Sequence, residues 1–166
     1  MRTRPARPDD AAAIAQIYNE GIEDRVGTFE TEPRTAADVA TWIVAGYPLV
    51  VGEDGGEVVA WASAPPYRPA RRAYAGVADF SIYVARSARG RGAGRVTLAA
   101  LIAEAEARGY WKLLSRVFPE NEASLALCRS LGFREVGVYR RHAKLDGVWR
   151  DVVIVELLLR ESAAAP

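Results

Sequence analysis

The 166-residue sequence contains one cysteine and one histidine. A single cysteine, Cys128, excludes an intramolecular disulfide and suits a reducing compartment, so a cytoplasmic location is expected. His142 has no Cys/His/Asp cluster beside it, so it reads as a surface or satisfied structural residue and no metal is expected. No apolar run approaches the roughly 20 residues of a membrane helix, and the charged stretch Met1–Asp10 is unlike a secretory leader. No membrane partner is expected. The chain has no continuous Lys/Arg run and no basic stretch interleaved with aromatics, which argues against nucleic acid. Two nucleotide motifs are absent as well. After Gly90 and Gly92 the third site of a Gly-x-Gly-x-x-Gly fingerprint is Arg95, and no Gly-Lys-Ser/Thr completes a P-loop.

The remaining composition is that of an ordinary globular chain, 50% apolar and 26% charged. Residues 1–161 are expected to form one domain, with 162–166 a disordered tail. The net charge of +1 conceals an asymmetry. Residues 1–60 carry 5 basic and 11 acidic side chains, and residues 61–166 carry 17 basic and 10 acidic ones. The second part is the better place for a small polyanionic ligand, unless the difference only reflects solvating surface charge.

Residue patterning predicts the order β-α-α-β-β-β-α-β-α-β-β, a mixed sheet with helices on its faces. Arg2–Ala6 reads as a short strand, and Asp9 or Asp10 as the cap of a helix carrying Ile14, Ile17 and Tyr18 at helical spacing. Thr35 is the expected cap of a helix through Val39, Trp42 and Ile43. Two β-rich runs, 49–52 and 58–62, flank Glu53-Asp54-Gly55-Gly56 as a hairpin. Pro65, Pro66 and Pro69 hold open a Tyr- and Arg-rich loop, and a long strand is expected from Ala73 to Val84. Leu98, Leu101, Ile102 and Ala105 then repeat at helical spacing until Gly109. A strand 111–118, a helix 121–131 closed by Gly132, and strands 133–139 and 148–159 complete the pattern.

The chemistry concentrates at Arg89-Gly90-Arg91-Gly92-Ala93-Gly94-Arg95, between a strand and a helix. A helix start leaves N–H groups without intrahelical partners, and its dipole favours negative charge. Glycines let that backbone approach phosphate oxygens, and the arginines add charged donors.

Arg89, Gly92 and Gly94 spell Arg-x-x-Gly-x-Gly, which resembles the pyrophosphate-binding motif of the GCN5-related N-acetyltransferase superfamily. The resemblance extends to Phe80-Ser81-Ile82-Tyr83-Val84 before the turn, and to the Asn121 helix with its Leu131-Gly132-Phe133 exit. It implies acetyl-CoA as donor and a mostly antiparallel central sheet splayed in the middle, the acyl-CoA N-acyltransferase fold. The backbone of Ile82, Tyr83 and Val84 would then pair with pantetheine. Asn121, Ser124 and Cys128 share a helical face toward the pantetheine arm, while Asn121 is equally a helix cap.

Further segments are similar to the phosphinothricin acetyltransferase family: Thr28-Phe29-Glu30-Thr31-Glu32-Pro33, Tyr67 to Tyr74, and Asp146-Gly147-Val148-Trp149-Arg150-Asp151. Membership implies acetylation of the α-amine of a small amino acid such as phosphinothricin, methionine sulfoximine or methionine sulfone, and a homodimer. The same donor site would also serve a peptide N-terminal or polyamine acetyltransferase, or an acetyl-CoA-binding domain without chemistry. Arg72 can hold a carboxylate or phosphinate bidentately, with Phe29, Tyr67 and Tyr74 as pocket walls. The arginines of this loop are otherwise solvated surface. The family carries a glutamate where this chain has Asp79, an acidic residue between Ala78 and Phe80 in an apolar strand. Asp79 is therefore either a general base, directly or through water, or a paired structural carboxylate. Cys128 stands where relatives place a tyrosine or histidine, and either protonates the leaving thiolate or only packs.

Overall fold

The structure is a computed structural model and describes residues 1–159. The final residues of the expected domain and the expected tail, 162–166, lie outside the described residues. Four helices and eight strands follow one another as β1 (Arg2–Pro5), α1 (Ala11–Asp24), α2 (Ala36–Val44), β2 (Leu49–Asp54), β3 (Glu57–Ser63), β4 (Val77–Asp79), β5 (Ser81–Val84), α3 (Ala93–Ala107), β6 (Lys112–Val117), α4 (Glu122–Ser130), β7 (Arg134–Leu145) and β8 (Val148–Leu158). The strands form two four-stranded sheets, ordered β1-β2-β3-β5 and β4-β6-β8-β7. All pairings are antiparallel except β4 with β6. The expected mixed, mostly antiparallel sheet with helices on both faces is present.

The long strand expected from Ala73 to Val84 is divided. Residues 72–74 form a 3₁₀ turn, β4 and β5 supply the rest, and Phe80 separates them. Phe80 turns into the core while β5 leaves β6 and joins β3. The strands 77–84 and 112–117 therefore begin as parallel neighbours and end apart. The alternation of residue types runs unbroken through Phe80, so nothing in the local pattern marks this change of partner.

Two cores cover the two faces. Leu98, Leu101 and Ala105 of α3 and Leu125 and Cys128 of α4 pack on Val50, Ala62, Phe80 and Leu113. Each fully buried leucine contributes about 2 kcal/mol from transfer alone. On the other face α1 and α2 bring Ile14, Tyr18 and Val39 against Leu49, Val51 and Trp61. Thr35 caps α2 as expected, its Oγ1 accepting the Asp38 N–H at 3.2 Å.

The start of α1 differs from expectation. Asp10 occupies the cap position without a capping side-chain bond. Its carboxylate accepts two bonds from Arg4, at 2.7 and 2.8 Å, and one from the Arg7 N–H. Arg4 also donates to Glu53 at 2.8 Å, so one guanidinium ties β1, β2 and the entry to α1. An ion pair outbids a neutral N–H as a partner for a buried carboxylate. At the other end β7 runs past Tyr139 to Leu145 through a register shift between Tyr139 and Ala143, with Arg141 at φ 48°.

Hydrogen bonding to Arg4 holds the Asp10 carboxyl below its ordinary value against the opposing cost of burial. A lowered folded-state value means the stabilisation is present above about pH 4 and is lost as pH falls through the folded value. Asp10→Ala is expected to cost about 3 kcal/mol at pH 7 by urea unfolding. The difference from the parent should shrink steadily below pH 4.

Candidate active site

The parting of β5 from β6 creates a cleft whose walls can be read bond by bond. The Phe80 N–H donates to the Leu114 carbonyl at 2.9 Å, the last bond between the two strands. On the other side Asp79 donates to Pro65 and Ala85 to Val59. Peptide groups alternate along a strand, so Ser81 and Tyr83 also face β3. The N–H groups of Ile82 and Val84 then lie on the edge that β6 has left. Buried peptide groups are almost always paired. Two successive free donors on an internal strand edge suit an extended ligand with amide carbonyls.

Beyond Val84 the chain makes a 3₁₀ turn at 86–88 and enters α3. Gly90 (φ 72°) and Gly92 (φ 86°) adopt the left-handed backbone that other residues reach at a cost of about 1–2 kcal/mol. A Cβ at either would meet no described atom within 4 Å, so the ground above these peptides is open. Gly94 has a different task. A Cβ there would sit 3.3 Å from both Leu127 and Val84, so the missing side chain lets α3 close on β5 and α4. The first bond closing this end of α3 runs from the Val96 N–H to the Gly92 carbonyl, leaving the N–H groups of Ala93, Gly94 and Arg95 without intrahelical partners.

The three arginines of the turn are held by protein groups. Arg89 pairs with Asp24 at 2.7 Å and donates to the Val84 carbonyl at 3.1 Å. Arg91 stands 3.4 Å from Asp54, and Arg95 donates to the Ser130 carbonyl. Asp24 also pairs with Arg86 at 2.7 Å, which fastens the end of α1 to the turn. Sequence reasoning missed Asp24, because 65 positions separate it from Arg89 and no local pattern links them.

Asn121 caps α4, accepting the Ser124 N–H at 3.2 Å, and its amide donates to the Val26 carbonyl at 3.1 Å. Ser124 is half-buried one turn on. Cys128 is 1% exposed and packs in the core beneath α4. Burial pushes its thiol up to about 11, with Glu135 adding to the shift.

Asp79 lies at the apex of the cleft, on the face that carries α1 and α2. Arg116 of β6 donates to its carboxylate at 3.0 Å. Burial raises the Asp79 pKa and the Arg116 charge opposes that, with burial prevailing. Arg116 is a second residue missed from sequence. The strand 111–118 was legible, but the register that sets Arg116 opposite Asp79 was not.

The acceptor-side candidates fall into separate groups, and no contact joins them to Asp79 among the described residues. Phe29 meets Phe118 edge-on at 4.8 Å, and Arg150 lies over the same Phe118 ring. Tyr67 and Tyr74 meet edge-on at 5.7 Å, with Arg68 over both. Arg72 begins the 72–74 turn and is exposed. His142 stacks near Tyr139 on the outer hairpin.

A strand edge without a partner, followed by a glycine turn at a helix start, is the arrangement the sequence motif implied. The pattern of the family described as "Acetyltransferase (GNAT) family" matches residues 14–133. The chain belongs to the GNAT acetyltransferase family.

Relatives at the level of whole chains agree. The protein is 35% identical to a "Putative phosphinothricin acetyltransferase YwnH" of Bacillus subtilis, over 93% of this chain and 97% of that one. It is 32% identical to an "L-methionine sulfoximine/L-methionine sulfone acetyltransferase" of Pseudomonas paraeruginosa, over 98% and 97%. The solved structure of yncA from Salmonella typhimurium, described as "a putative ACETYLTRANSFERASE" with its cofactor acetyl-CoA, superposes with a TM-score of 0.92 at 30% identity over 100% of this chain and 98% of that chain. The GNAT fold expected from the sequence is therefore present. Among the described residues, no helix is long and apolar enough to cross a membrane.

Proposed function

We propose that the protein transfers the acetyl group of acetyl-CoA to the α-amine of a small free amino acid or analogue of the phosphinothricin or methionine sulfoximine kind. The observation that carries this reading is the position of Asp79. A half-buried carboxylate stands where β5 and β6 part, beside the free N–H groups of Ile82 and Val84.

Acetyl-CoA when bound supplies an acyl thioester, and the chain's residues do the positioning. Ile82 and Val84 offer their N–H groups to the amides of the pantetheine arm. The peptides of Gly90 to Arg95 receive the pyrophosphate, where the glycines leave open space and the helix start supplies unpaired donors. Arg89 acts mainly by pinning this turn to Asp24. Ser124 and Asn121 border the arm from α4.

The acceptor approaches from the α1–α2 face, with Phe29, Tyr67 and Tyr74 as walls and Arg72 for its acidic group. An α-amine titrates near ~8, so removing its proton costs little at neutral pH. Asp79 takes that proton directly or through water. Its raised basicity suits the task, and Arg116 opposes the effect of burial through its charge and its hydrogen bond. Cys128 is part of the core and serves by packing.

A homodimer belongs to this reading. Val136, Val138, Tyr139, Val148 and Trp149 are each exposed on the β7–β8 hairpin, divided between its two faces, and apolar side chains left exposed in this number are of the kind that a partner covers. Light scattering should return twice the chain mass, and a single-chain mass at micromolar concentration would refute it.

Thiol release with acetyl-CoA should be faster for methionine sulfone, methionine sulfoximine or phosphinothricin than for a panel of peptides. Better turnover of peptides would overturn the acceptor. Asp79→Ala should lower kcat/KM at least a hundredfold between pH 6 and 8 while acetyl-CoA affinity changes little. Cys128→Ala should stay within about threefold of the parent. An active Asp79→Ala variant would remove the proposed base.

A further inference from the structure

Residues 25–35, between α1 and α2, form neither helix nor strand. Among the described residues, no bond between backbone groups ties positions 26–34 to another part of the chain. The segment carries Phe29, so its path decides where that proposed wall of the acceptor site stands. Without ladder bonds, it is placed by the side chains that reach its peptide groups. Asn19 of α1 does so at the far end, donating to the Arg34 carbonyl at 2.9 Å and accepting its N–H at 2.8 Å. At the near end the Asn121 amide donates to the Val26 carbonyl at 3.1 Å, and the Tyr83 hydroxyl to the Gly27 carbonyl at 3.3 Å.

Both near-end donors come from elements proposed to receive acetyl-CoA. Asn121 caps α4, which borders the pantetheine arm, and Tyr83 lies on β5 between Ile82 and Val84. Their side chains are fitted to reach the segment. A helix cap needs one side-chain oxygen, which serine or aspartate supplies equally well. Asparagine adds an amide donor beside that oxygen, and here both atoms are engaged. The Tyr83 ring is fixed by stacking on Trp61 at 5.0 Å and by meeting Tyr18 edge-on at 4.8 Å. Gly21 of α1 makes room for it, since a Cβ there would lie 2.7 Å from the ring. Glycine is a poor helix former, so the close pass of Tyr83 accounts for its place in α1.

We propose that Asn121 and Tyr83 are positioning residues of the acceptor site. Through the Val26 and Gly27 carbonyls they hold the segment that carries Phe29 against the two elements that receive the donor. The acceptor wall and the donor are thereby set in one frame, and neither side chain needs to touch the acceptor itself. The proposal rests on the acceptor reading above and adds what places its wall.

The test uses the whole enzyme with acetyl-CoA and methionine sulfone. Asn121→Ser keeps a capping oxygen but is too short to reach Val26, and Tyr83→Phe keeps the stacked ring without the hydroxyl. In each variant the KM for methionine sulfone should rise about three- to tenfold, the usual worth of one neutral hydrogen bond. That rise should exceed any change in acetyl-CoA Kd, and amide exchange from Gly27 to Phe29 should quicken alongside it. Bonds that only stabilise the fold would lower the melting temperature and the active fraction and leave KM unchanged. An unchanged KM in both variants, a loss confined to acetyl-CoA Kd, or a raised KM without faster exchange would each overturn the positioning role. Acceptance of peptides in place of methionine sulfone by the parent would remove the acceptor reading instead, and the exchange rates would then decide the positioning role alone.

Discussion

The site depends on one divergence. Strands 77–84 and 112–117 run in parallel through the bond from the Phe80 N–H to the Leu114 carbonyl, and then part. A sheet cannot leave interior N–H groups unpaired without cost, so an internal edge of this kind calls for a substitute strand. β5 is held on its other edge by β3, and Phe80 is anchored against Phe133 in the core. The opening is thus braced on both sides, and the glycine turn, Asp79 and the α4 face are arranged around it.

Electrostatics at the proposed donor end divides into two jobs. The backbone supplies the open donors, through Gly90, Gly92 and the first turn of α3. The arginines are engaged by Asp24, Asp54 and the Ser130 carbonyl, and so they shape the turn and set its positive potential. Fixed peptide dipoles need no reorganisation when an anion arrives, which is the advantage of building the cradle from main chain.

Much of this was legible before the fold was known, for reasons visible in particular residues. Leu98, Leu101 and Ala105 carry a helical period because α3 buries one stripe, and Thr35 caps α2 with a side chain adapted to nothing else locally. The glycine turn announces itself because left-handed peptides demand glycine. What stayed hidden depends on distant partners. The break at Phe80 follows from a change of neighbouring strand and leaves no mark in the alternation. Asp10 turns to Arg4 because the cross-strand neighbour Glu53 brings that guanidinium to it. Asp79 was noticed as an acid in an apolar run, yet its partner Arg116 could be named only once the β4–β6 register was known.

Hydrogen exchange resolved to single amides, with and without acetyl-CoA, addresses the central claim directly. Free N–H groups on a strand edge exchange readily and become protected when a substitute strand pairs with them. Acetyl-CoA is predicted to slow exchange at Ile82 and Val84 and at Ala93 to Arg95, while Tyr83, already paired with β3, changes little. Protection confined to other segments, or none at saturating acetyl-CoA, would contradict the account.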